Sequence, residues 1–139
     1  MSNDLYIKNG EFFGEGDMKR KLLFMVFTDE ACKQNHAFMY ALECDEKGHQ
    51  VRIILEGPAT ACVNRLAKGG KFSELFKQAK EAGLIEGVCK TASGGCSTEE
   101  KARNVANTAK KEGLKLISDL DGHAGINRFV SVGYQVIIF

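Results

Sequence analysis

Apolar and polar positions along this chain switch repeatedly between strand-like runs and helical periodicity. Residues 22–27 (LLFMVF) are an unbroken apolar run of strand length, and 51–55 (VRIIL), 84–88 (LIEGV), 114–117 (LKLI) and 135–139 (QVIIF), each with a polar residue among apolar ones, read as further strands. Between them, residues 31–47 place Ala37, Phe38, Ala41, Leu42 and Cys44 on one helical face, and Gly48 supplies the stop. Short helices are predicted at 59–67 and 73–82, separated by Gly69-Gly70, with Leu75, Phe76 and Ala79 inward and Gly83 at the end. Ser97-Thr-Glu-Glu100 has the spacing of a capping box, with Ser97 as N-cap and Glu100 reaching back. It predicts a helix that buries Ala102, Val105, Ala106 and Ala109 and closes at Gly113. A polar loop at 118–125 and a short helical turn precede the last strand.

Strands alternating with helices predict one α/β domain over residues 21–139. Its expected architecture is a three-layer α/β/α sandwich with a mostly parallel sheet of about five strands. Residues 1–20 read as an extension. Within it LYIKNGEFF sets Asn9-Gly10 between two short apolar runs, the pattern of a β-hairpin with a type I′ turn.

A chain of 139 residues fits one core. The formal net charge is +1 with the basic residues scattered, so no footprint for nucleic acid or an anionic membrane is seen. The apolar runs are too short to span a bilayer. The start, MSNDLYIKNG, lacks the basic and apolar regions of a secretory signal, which gives a cytoplasmic expectation. Five cysteines, an odd number, then read as reduced thiols rather than as a disulfide framework.

Open α/β sheets bind ligands beyond the carboxyl ends of their strands. The segments leaving those ends carry Cys32 after the first strand, Glu56, Thr60 and Cys62 after the second, and Cys89 and Cys96 after the third. Ser118, Asp119, Asp121 and His123 follow the fourth. Cys89 stands out because it ends a strand and opens the glycine-containing stretch KTASGG ahead of a helix start. The helix N-terminus, Lys90 and Lys101 are expected to lower its pKa and make it the most reactive thiol. The alternative is a small buried hydrophobe at a strand end. Cys96, just before the capping serine, is a candidate resolving thiol or a small loop residue. Cys32 and Cys62 read as packing residues, Cys44 as core, His36 and His49 as surface positions, and His123 in DGHAG as a base, an anion donor or, first among these, a solvated loop residue.

Several motifs are absent. No C-x-x-C occurs, and the sixth position after Cys89 is Gly95, where a phosphatase loop would carry arginine. Gly14-Glu-Gly16 lacks the third glycine of a dinucleotide fingerprint, and there is no Walker A pattern. No cofactor is therefore assigned.

Ala37 to Leu55 (AFMYALECDEKGHQVRIIL), the Glu56-Gly57-Pro58 turn, and Leu84 to Cys89 with Gly94 and Gly95 downstream resemble the DsrE/DsrF-like family, small α/β proteins of sulfur metabolism. The similarity runs over roughly residues 22–139; residues 1–20 and Cys96 depart from the pattern. It implies a five-stranded, largely parallel sheet and assembly into trimers or hexamers. It also implies that Cys89 carries sulfane sulfur as a persulfide between donor and acceptor proteins, a sulfurtransferase-type role. Two other readings remain: a non-enzymatic module holding a metal or anion among Cys89, Cys96, Cys32 and His123, and a structural or regulatory subunit. The homo-oligomer is expected to bury some of Phe12, Phe13, Phe129 and Tyr134.

Overall fold

A computed structural model describes residues 5–8, 11–14 and 18–139. Leu5–Lys8 (β1) and Glu11–Gly14 (β2) pair antiparallel with Lys8 opposite Glu11. These are the two strands of the expected hairpin. Its Asn9-Gly10 turn, Gly16 and the side chains of residues 5–14 lie outside the described residues.

From Lys21 the strands are Lys21–Val26 (β3), Gln50–Leu55 (β4), Ile85–Cys89 (β5), Leu116–Ile117 (β6) and Gln135–Ile138 (β7). They form one parallel sheet in the order β6-β5-β4-β3-β7. The α-helices are Ala31–Glu46 (α1), Lys71–Glu81 (α2), Asn104–Lys111 (α3) and Asn127–Val130 (α4). The expected α/β/α architecture is thus the observed one, and no helix among the described residues is long and apolar enough to cross a membrane.

Side-chain alternation divides the sheet into two faces. Leu22, Phe24 and Val26 of β3 and Val51, Ile53 and Leu55 of β4 pack under α1, α2 and α3, around Phe38, Phe72 and Phe76. Leu23, Met25 and Ile54 point the other way, against Cys89, Ile117, Ala124 and Phe129. The first three crossovers therefore cover one face. The connection from β6 back across the sheet to β7, carrying α4, covers the other. The chain changes faces between the ends of β5 and β6, and a crevice opens at such a reversal.

Three local predictions are corrected. The helix expected at 59–67 is a 3-10 helix, Gly57–Lys68. Its buried pairs, Ala59 with Cys62 and Thr60 with Val63, stand three residues apart, which suits a three-residue turn. The strand expected at 114–117 shortens to Leu116–Ile117. The capping box also fails. Ser97 Oγ accepts from Glu99 N at 3.1 Å, but α3 begins only at Asn104, after a 3-10 turn at Lys101–Arg103. Ala102, expected inside, is exposed. The preceding loop packs backbone to backbone on this turn: a Cβ on Gly94, at φ +83°, would lie 1.8 Å from the Ala102 carbonyl oxygen. The loop can press against the 3-10 turn only because residue 94 is glycine.

The second face is held down by Arg128, which donates to Glu86 at 2.8 Å and to Asp119 at 3.0 Å. Asp119 also accepts from Gly125 N at 2.7 Å. That backbone hydrogen bond, helped by Arg128, holds the Asp119 pKa below the ordinary carboxylate value. A depressed carboxylate pKa stabilises the fold above the unfolded-state pKa, and the contribution disappears as pH falls through the folded value. Asp119→Asn is therefore expected to lower the melting temperature at neutral pH. The gap from the wild type should close below about pH 4, the unfolded carboxylate range. A gap unchanged at low pH would remove the electrostatic explanation.

Candidate functional site

Three chain segments meet at the reversal. β5 ends in Cys89, which is 0% exposed and belongs to the core of the second face. A β-bulge decides this orientation. Ile53 and Ile54, adjacent on β4, pair with Ile85 and Gly87, so one extra residue is inserted into β5. Ile85 and Val88 then both face the helices, and Cys89 faces away from them. In a regular strand of the same sequence, with no bulge, the alternation from Ile85 would point Cys89 into the helix-covered core. Gly87, at φ +155°, accommodates the bulge: a Cβ there would sit 2.4 Å from the Lys115 carbonyl oxygen.

Around the thiol, Cys89 Sγ lies 3.5 Å from His123 Nδ1 and accepts from Ala92 N at 3.4 Å. Glu56 and the Ala124 N–H lie near enough to act on its protonation, the first against the thiolate and the second in its favour. Glu56, just past β4, is buried; its carboxylate accepts from Gly57 N at 2.8 Å and from Ala124 N at 3.3 Å. Thiol sulfur, imidazole nitrogen and carboxylate oxygen all lie within 4.8 Å of one another. His123 is exposed, so the cluster has a buried floor and one solvent-facing wall. The loop bearing His123 is pinned to the Cys89 loop by Thr91, whose N and Oγ1 donate to the Gly122 carbonyl at 3.0 and 2.8 Å.

Cys89 is thus at the carboxyl-end rim, as expected, but its electrostatics are the reverse of the expectation. Burial pushes its thiol pKa up, Glu56 pushes it further, and the N–H groups of Ala92 and Ala124 only partly offset this. The helix that was to lower it starts 15 residues later, at Asn104.

The other predicted residues are dispersed. Cys96 is exposed and touches Thr91 Oγ1 at 3.4 Å, beside the cluster rather than in it. Cys32, expected to be packing, is exposed on α1 against His36. Cys62 is buried, and desolvation raises its pKa to about 12. Cys44 is half-buried against the helix-side core, and all five thiols are free. His123 belongs to the cluster and is exposed on its loop as well. Glu56 was legible only as a carboxylate at a strand exit.

No family model and no solved structure matches the chain. It is similar to an uncharacterized protein of Archaeoglobus fulgidus, 35% identical over 60 residues, which cover 43% of this chain and 98% of the relative. An uncharacterized protein of Methanocaldococcus jannaschii is 29% identical over 103 residues, 73% of this chain and 76% of its own. A second A. fulgidus protein, also uncharacterized, is 52% identical over 31 residues, 22% of this chain and 84% of its own.

Proposed function

The chain belongs to the same family as these Archaeoglobus proteins, and we propose that it is a sulfur carrier of sulfurtransferase type that holds sulfane sulfur on Cys89. The observation that carries this reading is the Cys89–His123 contact, 3.5 Å from Sγ to Nδ1, at the sheet's reversal point. A nucleophilic thiol with a raised pKa requires a base within reach, and imidazole is that base. His123 takes the thiol proton, and the Cys89 thiolate attacks the outer sulfur of a donor persulfide R–S–SH. The new S–S bond forms as the donor's breaks, leaving Cys89–S–SH and R–S⁻, which recovers the proton from His123. No net oxidation occurs. The Ala92 and Ala124 N–H groups stabilise the charged sulfur, and transfer to an acceptor protein's thiol repeats the exchange.

We propose a homo-oligomeric assembly as well, with a changed anchor. Phe129 is already 6% exposed within one chain, stacked edge-on against Tyr134, so it offers little to a second copy. Ile138 and Val132, 67% and 55% exposed on and beside the edge strand β7, provide the apolar surface instead.

Native mass spectrometry after incubation with a low-molecular-weight persulfide tests both. In a background carrying Cys32→Ser and Cys96→Ser, which removes the two exposed thiols, one added sulfur per chain is expected, lost on adding Cys89→Ser, slowed by His123→Ala and removed by dithiothreitol. Undiminished uptake on adding Cys89→Ser, or no uptake in that background, overturns the carrier reading. A monomer at micromolar concentration overturns the assembly.

A further inference from the structure

We propose that Glu56, Cys89 and His123 are three ligands of one divalent transition-metal ion of borderline softness, zinc in the first instance, with a fourth position open to solvent. The donor set, one thiolate sulfur, one imidazole nitrogen and one carboxylate oxygen, is the mixture such ions take. Three protein ligands with an open position is the arrangement of reactive rather than purely structural zinc sites.

The spacing supports it. Zinc–sulfur and zinc–nitrogen bonds of about 2.3 and 2.05 Å at a tetrahedral angle put the two ligand atoms about 3.6 Å apart. Cys89 Sγ and His123 Nδ1 stand at 3.5 Å. The carboxylate oxygen lies within 4.8 Å of both, near enough for a side-chain adjustment to bring it to bonding distance of a shared ion. Outer contacts needed to orient such ligands are already in place. Gly57 N and Ala124 N hold the Glu56 carboxylate, and Ala92 N donates to the sulfur. The thiol proton is displaced on binding: Cys89–SH and M²⁺ give Cys89–S–M⁺ and a proton released to water. This set differs from the one drawn from the sequence, because Glu56 enters while Cys32 and Cys96 lie elsewhere.

Metal and sulfane sulfur compete for the same sulfur atom. Zinc is therefore an inhibitor of sulfur loading, a consequence that rests on the carrier reading, whereas metal binding does not.

The test uses the full chain, stripped of metal and kept reduced, titrated with Co²⁺ as the spectroscopic probe. One equivalent should produce a thiolate-to-cobalt charge-transfer band together with d–d bands of low-symmetry coordination. Cys89→Ser should lose the charge-transfer band. Glu56→Gln and His123→Gln should weaken binding by at least about tenfold, and Cys32→Ser and Cys96→Ser should change nothing. Glu56→Asp, which keeps a carboxylate, should bind more tightly than Glu56→Gln; thermal melts confirm that both are folded. A band that survives Cys89→Ser, no band at all, or wild-type affinity in Glu56→Gln and His123→Gln overturns the site. Sulfur uptake by the metal-free protein is measured separately. Uptake without a cobalt band sinks the metal site alone, and a band without uptake sinks the carrier reading alone. Uptake undiminished by saturating Zn²⁺ overturns the inhibition.

Discussion

Gly87→Ala is expected to lower the melting temperature by roughly 3–10 °C, the consequence of about 1–3 kcal/mol of backbone strain and crowding. The added methyl meets the Lys115 carbonyl oxygen at 2.4 Å and Ile117 at 3.1 Å. The first is backbone and cannot rotate away. Lys115 O accepts from Val88 N at 2.9 Å, so the bond that seats β5 beside β6 is the one pushed apart. Strain at this point reaches the site as well, because the same bulge turns Cys89 toward Glu56 and His123. The substitution should therefore alter the sulfur uptake and cobalt binding of the folded variant along with its stability. Thermal melts followed by circular dichroism decide it. A melting temperature within a degree or so of the wild type would mean that the bulge tolerates an alanine and that Gly87 is not needed to aim the thiol.

The bulge also marks where sequence reading stopped. Unbroken apolar runs such as Leu22–Phe27 are recognisable because a strand buried on both faces has no polar side to show. The strand-exit rule placed Cys89 at the rim for the same reason. Face, however, depends on parity, and one inserted residue reverses it. Gly87 inside the run LIEGV was the available sign. The thiol's pKa direction is opposite to the expectation because burial and Glu56 raise it, and the helix start expected at Ser97 comes only at Asn104. Glu56 was hidden for a different reason. A lone carboxylate at a strand exit looks solvated until the fold brings the Ala124 N–H across from 68 residues away. His123 is exposed, as its polar loop suggests, and still reaches the thiol because Thr91 fixes the neighbouring Gly122.

Under limiting iodoacetamide, Cys96 and Cys32 should label first and Cys89 at least about a hundredfold more slowly. That ratio corresponds to about 3 kcal/mol of local opening, at about 1.4 kcal/mol per decade. The order reverses the expectation drawn from the sequence, in which Cys89 was the most reactive thiol, and it follows from burial. Cys96 and Cys32 are exposed, whereas Cys89 has no exposed surface and lies beneath the loop that carries His123. Cys62 sets the lower limit, since it is buried in the helix-side core with its pKa pushed to about 12; it should remain unlabelled until the protein unfolds. Thr91→Val, which keeps the side chain's shape and removes the hydroxyl that donates to Gly122, should loosen the loop and speed labelling of Cys89 without changing that of Cys32. Peptide mapping at short reaction times gives all of the rates in one experiment. Rapid labelling of Cys89 in the wild type would show that the loop stands open in solution. If Thr91→Val leaves the Cys89 rate unchanged, the hydroxyl does not hold the gate. The order expected here makes opening of the 118–125 loop the step that any thiol reagent must await, the sulfur donor of the proposed carrier included, and the contacts of Thr91, Asp119 and Arg128 are the ones that oppose it.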